Sequence, residues 1–268
     1  MRLFRSLRQL IPGIRPQFII VGAQKAGTTS LYGMLTTHAR IHPARTKEVR
    51  FFDEYYHHGP RWYLSHFPPA WTIPQATITG EATPYYLSDP RVPARIRAML
   101  PDAKIVAILR DPVDRAISHY FQVRRRGREP LPIAEAMRAE AGRLAREISR
   151  MGEDERYLSR PFRRWGYQAT GRYAEQLDRY LALFPREQVL IIRSEDFFAR
   201  PQEQANRLFE FLGVATIDVP AGSVRLNQGG YTAQEVPPEV YADLARAFQP
   251  HNERLYELLG NDWAWRRP

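Results

Sequence analysis

The stretch Phe18-Ile19-Ile20-Val21-Gly22-Ala23-Gln24-Lys25-Ala26-Gly27-Thr28-Thr29-Ser30-Leu31 decides how this 268-residue chain folds. Four consecutive apolar residues, 18–21, read as a buried strand. Ser30-Leu31-Tyr32-Gly33-Met34-Leu35 then opens a helix, with Leu31, Met34 and Leu35 at helical spacing. Between them, Gly22 and Gly27 let the backbone approach a ligand closely, and the Thr28 and Thr29 hydroxyls suit a helix cap. The N–H groups of the first helical turn favour an anion, and Lys25 adds a full positive charge. The segment reads as a cradle for phosphate.

The order of residues within the turn narrows the chemistry. A nucleoside-triphosphate loop, G-x-x-x-x-G-K-[ST], sets its lysine after the second glycine. Here Lys25 precedes Gly27 and no second lysine follows. Downstream, Lys104-Ile105-Val106-Ala107-Ile108-Leu109-Arg110 reads as another buried strand, with Asp111 as the cap and Pro112 as the first residue of a helix through Tyr120. Arg110 and Ser118 stand eight residues apart, and a guanidinium fork with a hydroxyl suits a terminal phosphate. Between the two strands, Lys47-Glu48-Val49-Arg50-Phe51-Phe52-Asp53 sets Glu48 between two cations that hold it ionised, as a base requires. A solvated charged turn ahead of an aromatic core pair gives the same pattern.

Together these segments resemble sulfotransferases that use 3′-phosphoadenosine 5′-phosphosulfate (PAPS), and most of all the bacterial relatives of the heparan-sulfate and other glycan sulfotransferases. The loop Gln24-Lys25-Ala26-Gly27-Thr28-Thr29 is similar to that family's 5′-phosphosulfate loop. Arg110 and Ser118 match its 3′-phosphate pair, and Lys47-Glu48 with Phe51-Phe52 matches its Lys-Glu-x-x-Phe-Phe segment, whose glutamate is the base. Gly80-Glu81-Ala82-Thr83-Pro84-Tyr85-Tyr86 resembles the Glu-x-Thr-Pro-x-Tyr segment of its acceptor cleft, and the likeness runs on to about Trp265. The resemblance implies a P-loop-NTPase-like, three-layer sulfotransferase fold, PAPS as donor and no metal. It implies Glu48 and Lys25 as catalytic residues, and Lys47, Arg50, Phe52, Glu81 and Tyr85 at the acceptor. One departure stands out. The family's late Lys-Gly-Arg nucleotide loop corresponds here to Asn227-Gln228-Gly229-Gly230-Tyr231, so Gln228, Gly229 and Gly230 would contact the donor through backbone N–H groups, with Arg225 nearby.

Strand candidates at 17–21, 76–80, 104–110 and 188–193 alternate with helical stretches, which argues an α/β fold with a parallel sheet and ligands at the carboxyl ends of its strands. Helices are expected at 238–248 and 252–259, with Trp263 and Trp265 as core anchors. Residues 17–268 read as one domain. The chain has no cysteine, which excludes disulfides and thiolate metal sites and fits a cytoplasmic location. Its seven histidines show no metal spacing, though His42 lies near enough to Glu48 to be considered as a base.

The formal charge is +10, and the stretch 122–164 holds twelve arginines against seven acidic residues. Residues 133–151 carry helical periodicity but few apolar positions, so this stretch is expected as a helical insertion by the active site, drawing in an anionic acceptor or the donor. Nucleic acid is not expected, because no recognition motif accompanies the arginines. Trp62, Tyr63, Trp71, Tyr85 and Tyr86 are candidates for stacking on sugar rings. In 1–16, Leu3, Phe4, Leu7, Leu10 and Ile11 share one helical face and Arg2, Arg5 and Arg8 another. Such a segment packs on the body or lies on an anionic membrane surface. Three readings compete with sulfation of a carbohydrate: sulfation of a small hydroxylated metabolite, an ATP- and magnesium-dependent kinase, and a non-catalytic polyanion-binding module.

Overall fold

The computed structural model describes residues 12–220, 222–224 and 235–265. Five strands, β1 (Phe18–Gly22), β2 (Ile41–Pro43), β3 (Ile78–Ala82), β4 (Lys104–Leu109) and β5 (Val189–Arg193), form one parallel sheet in the order β2-β3-β1-β4-β5. Phe18 pairs with both Gly80 and Lys104, so β1 is central. The chain leaves β1 toward β2 and β3, then returns on the other side at β4. That reversal opens the crevice where ligands bind in such sheets, at the carboxyl end of β1. Full burial explains why β1 and β4 read as unbroken apolar runs.

Eleven α-helices lie among the described residues: α1 (Thr28–Leu35), α2 (Gly59–Leu64), α3 (Val92–Met99), α4 (Pro112–Arg125), α5 (Ile133–Leu144), α6 (Glu147–Glu153), α7 (Arg160–Trp165), α8 (Tyr173–Leu181), α9 (Ser194–Ala199), α10 (Pro201–Leu212) and α11 (Pro238–Leu259). The parallel sheet follows the expected pattern, with one addition. β2 is a three-residue edge strand, with Ile41 opposite Ile78, too short and too Pro-bounded to show a period. The main core joins the sheet to α1, α8 and α10 and to Trp263 and Trp265, whose rings meet edge-to-face at 4.9 Å.

The arginine-rich stretch folds as α5, α6 and α7. It is less peripheral than its composition suggests. Ile133, Ala136 and Met137 are buried with Val113 and Ile117 of α4 and with Val240, Leu244 and Phe248 of α11. Gly13 N–H donates to the Leu64 carbonyl and Ile14 N–H to the Pro68 carbonyl, so the chain at 13–14 lies on the body; residues 1–11 fall outside the described residues. No helix among the described residues is long and apolar enough to cross a membrane.

The two expected C-terminal helices are one. α11 runs through Pro250 because Val240, Leu244, Phe248 and Leu255 are buried on either side of it, and packing outweighs the lost N–H. Pro250 itself is exposed. Pro250→Ala is therefore expected to stabilise the fold by roughly 1–3 kcal/mol in urea unfolding; a loss of stability would mean that Pro250 shapes a contact this helix needs.

Candidate active site

The loop from β1 to α1 is built by backbone conformation. Gly27 has a φ of +106°, and a Cβ there would meet the Phe198 ring at 3.0 Å. Gly27 is also the N-cap of α1, and no side chain caps that end. Thr28 and Thr29 are thus the first helical residues and not its caps, because the left-handed turn at Gly27 already starts the helix. The Ser194 hydroxyl donates to the Ala26 carbonyl at 2.7 Å and ties the loop to the end of β5.

Gln24, Lys25, Ala26, Gly27, Thr28 and Thr29 line a cavity of 690 Å³, together with Glu48, Arg50, Arg110 and Ser118. The fold therefore gathers at one place residues that are up to ninety-four positions apart in sequence. Asp111 caps α4, accepting from Val113 N–H at 2.8 Å, and the Tyr173 hydroxyl donates to the Arg110 carbonyl at 2.9 Å. These bonds fix the strand-to-helix turn that carries Arg110. Burial, then the guanidinium groups of Arg125, Arg110, Arg126 and Arg115, hold Lys25 below the usual lysine range. A site that depresses its lysine through neighbouring cations is a site that an anion stabilises.

Several lining residues were not anticipated. Asp114, Gln122 and Arg126 face the cavity with the expected Ser118, and the four follow Arg110 at steps of four along α4. That helical spacing was present in the sequence and extends the stripe beyond Ser118. Ser194, Glu195 and Phe198 enter just after β5, at another carboxyl end. Glu195 also accepts Asp111 N–H at 2.9 Å.

A second cavity, of 440 Å³, adjoins the first and shares Gln24, Arg50, Gln122 and Arg126 with it. Six arginines line it (Arg50, Arg126, Arg128, Arg160, Arg163 and Arg164), against one carboxylate, Glu54. That carboxylate is already engaged by Arg50 at 3.3 Å and Arg163 at 3.1 Å. Arg163 also pairs with the buried Asp53 and lies 4.6 Å from the centre of the Tyr85 ring. Tyr85, His119 and Gln24 line this space, and their buried Tyr85 hydroxyl, His119 Nδ1 and Gln24 Oε1 have no hydrogen-bond partner among the described residues. Burial, then Arg115 and Lys25, push His119 well below the ordinary histidine range, so its ring is neutral.

The turn at 47–50 stands at the edge of the larger cavity. Lys47 Nζ lies 3.2 Å from Glu48 Oε1 and Arg50 Nε lies 4.0 Å from Glu48 Oε2. Lys47 therefore meets the site through Glu48 and is not on either cavity's wall. Two residues expected at the acceptor are elsewhere. Phe52 is buried in an aromatic cluster with Phe51, Tyr63 and Tyr86, and Glu81 is fully buried on β3. Phe52 lies in a single π-helical turn whose residues 51–53 are all buried, and β3 is buried on both faces. Of the five aromatic residues considered for stacking on sugars, Tyr63 and Tyr86 are core, Trp71 is exposed on a loop, and only Tyr85 borders either cavity. His42 lies on β2 and lines neither cavity. Arg225, Gln228, Gly229 and Gly230 lie outside the described residues. Among the described residues no group of His, Asp and Glu side chains is arranged to hold a metal ion.

Known proteins are similar to this chain in sequence and in fold. The family described as the sulfotransferase domain matches residues 15–226. Heparan sulfate glucosamine 3-O-sulfotransferase 6 of Homo sapiens is 31% identical over 279 residues, covering 95% of this chain and 75% of its own length. The membrane-associated sulfotransferase kil1 of Dictyostelium discoideum is 29% identical over 317 residues, covering 93% of this chain. The chain spans 66% of the length of that protein. Among solved structures, a sulfotransferase from Alicyclobacillus acidocaldarius superposes with a TM-score of 0.73 at 32% identity, covering 95% of this chain and all of its own.

The buried carboxylates give a measurable pH signature. Burial raises Glu81 to about 7 and Asp53 to about 6. The folded chain holds both protons more tightly than the unfolded chain, so their contribution to stability is complete below the unfolded carboxyl range and is lost as pH rises through these values. The free energy of urea unfolding is expected to fall between about pH 4 and about pH 7, and to fall less in Glu81→Gln. An equal fall in both proteins would show that Glu81 does not titrate in this window.

Proposed function

The chain belongs to the sulfotransferase domain family, and on that premise we propose that it transfers a sulfuryl group from PAPS to a hydroxyl or amine of an anionic saccharide. One observation carries the reading. A cationic phosphate cradle, the Arg110–Ser118 pair and the Glu48 carboxylate are among the groups lining one cavity, which shares four residues with a second cavity rich in arginine. The first suits a donor with phosphates at both ends, and the second suits an acceptor that carries acid groups.

In this scheme Glu48 accepts the acceptor's proton as its oxygen or nitrogen attacks sulfur. The sulfur–oxygen bond to the phosphate breaks, and its electron pair leaves with the nucleotide. Lys25 and the N–H groups from Ala26 to Thr29 take up the charge that develops on the leaving phosphate. Arg110 and Ser118 hold the 3′-phosphate. Arg50 and Arg126, which face both cavities, flank the place where donor and acceptor meet.

The acceptor class rests on the second cavity. Six guanidinium groups against one engaged carboxylate leave a net positive wall, which suits an acidic acceptor. The human relative's name gives heparan sulfate glucosamine as its acceptor, which supports a carbohydrate here over a small metabolite. A kinase reading finds its lysine on the wrong side of Gly27. A plain polyanion binder has no need of the donor cavity.

Glu48→Gln is expected to keep nucleotide affinity and to lower kcat by on the order of 10²–10⁴-fold. Near-normal turnover in that variant would remove Glu48 from the base role. Arg160→Ala with Arg164→Ala is expected to raise KM for a sulfated or carboxylated saccharide about tenfold at low salt with little change in kcat, and the difference should shrink at high salt. Equal KM values for charged and neutral acceptors in the unaltered enzyme would contradict the acceptor class.

A further inference from the structure

Glu81 takes no part in the chemistry just described, yet it is fully buried on β3, opposite Ile19 of the strand that feeds the phosphate loop. Three donors converge on its carboxylate: Val49 N–H at 3.2 Å, the Thr83 hydroxyl at 2.7 Å and the Tyr86 hydroxyl at 3.0 Å. The Tyr63 hydroxyl faces it as well. Two of these donors are relays. Thr83 Oγ1 accepts Arg50 N–H at 3.3 Å, and the Tyr86 hydroxyl accepts Phe52 N–H at 3.3 Å. The backbone N–H groups of residues 49, 50 and 52 thus all end, directly or through one hydroxyl, on a single carboxylate.

The polarity of this network depends on the charge of Glu81. An ionised carboxylate only accepts hydrogen bonds, so the Thr83 and Tyr86 protons point to it and their lone pairs turn toward Arg50 and Phe52. The segment it holds is under strain. Glu48 has a φ of +61° and Arg50 of +57°, in the left-handed region that a residue with a side chain holds only where its surroundings enforce it. Those two residues line the donor cavity while Val49 between them is buried.

We propose that Glu81 is a positioning residue: its buried carboxylate pins the backbone of residues 49–52 and so aims the Glu48 and Arg50 side chains into the donor cavity. The proposal rests on the reading of Glu48 as the base. The surroundings of Glu81 support it. The groups facing the carboxylate are the hydroxyls of Thr83, Tyr63 and Tyr86 and a second carboxylate, Asp53. If packing alone were required, an apolar residue would cost less in that place.

The test combines hydrogen exchange, nucleotide binding and kinetics on Glu81→Gln in the full chain. The amides of residues 49, 50 and 52 are expected to exchange at least tenfold faster, while those of β1 and β4 keep their protection. Affinity for 3′-phosphoadenosine 5′-phosphate should be unchanged, and kcat should fall on the order of 10²-fold, as a misaimed base requires. Thr83→Val and Tyr86→Phe each cut one relay and should release the Arg50 and Phe52 amides respectively, which keeps the test open if Glu81→Gln does not fold. Unchanged exchange at all three amides, or loosened amides with unaltered kcat, would overturn the proposal. Normal turnover in Glu48→Gln would overturn the base reading alone, because the exchange pattern still reports whether Glu81 holds the turn.

Discussion

The site is organised by the mutual repulsion of cations held together. Lys25 stands at the mouth of α1, where burial first and then Arg125, Arg110, Arg126 and Arg115 depress its pKa. Like charges at such range are unfavourable, so the sheet and two helices must hold them in place. β1 delivers Lys25, β4 delivers Arg110, and α4 carries Arg115, with Arg126 just past its C-terminal end. The parallel order with β1 at the centre brings both loops to the same edge. An anion bound there relieves the repulsion and gains the helix N-terminus as well, so the energy stored in the free protein becomes binding energy.

Two acidic groups near the site, Glu81 and Asp53, lie behind its walls. Glu81 accepts from Val49, Thr83 and Tyr86, and Asp53 is fully buried against Arg163. Their burial keeps the second cavity positive and also fixes its shape. Asp53 and Glu54 hold Arg163 over Tyr85, and Glu81 steadies the strained turn that carries Glu48. Glu48, Asp114 and Glu195 instead reach the larger cavity, Glu48 between Lys47 and Arg50. A carboxylate meant to receive a proton belongs in reach of the ligand, whereas carboxylates meant to hold backbone belong out of it.

Much of this was legible in the sequence because it rests on local signals. The apolar runs of β1 and β4, the glycines around Lys25 and the Asp111-Pro112 start of α4 each declare themselves within a few residues. What was not legible depended on packing between distant segments. Phe52 and Glu81 share segments with cavity residues, and only the fold decides which neighbour turns inward. The continuous α11 contradicts a sound local rule about proline because its apolar stripe is buried on both sides of Pro250. The stripe from Arg110 to Arg126 lies between these cases: its spacing of four was visible, but only the position of α4 beside the loop gives it meaning.

Calorimetric titration of the protein with 3′-phosphoadenosine 5′-phosphate, beside adenosine 5′-phosphosulfate and ATP with magnesium, tests the central claim most directly. The account predicts tight binding to the nucleotide that carries the 3′-phosphate and much weaker binding to the two that lack it, because Arg110 and Ser118 are assigned to that group. A preference for ATP with magnesium, or no nucleotide binding at all, would contradict it.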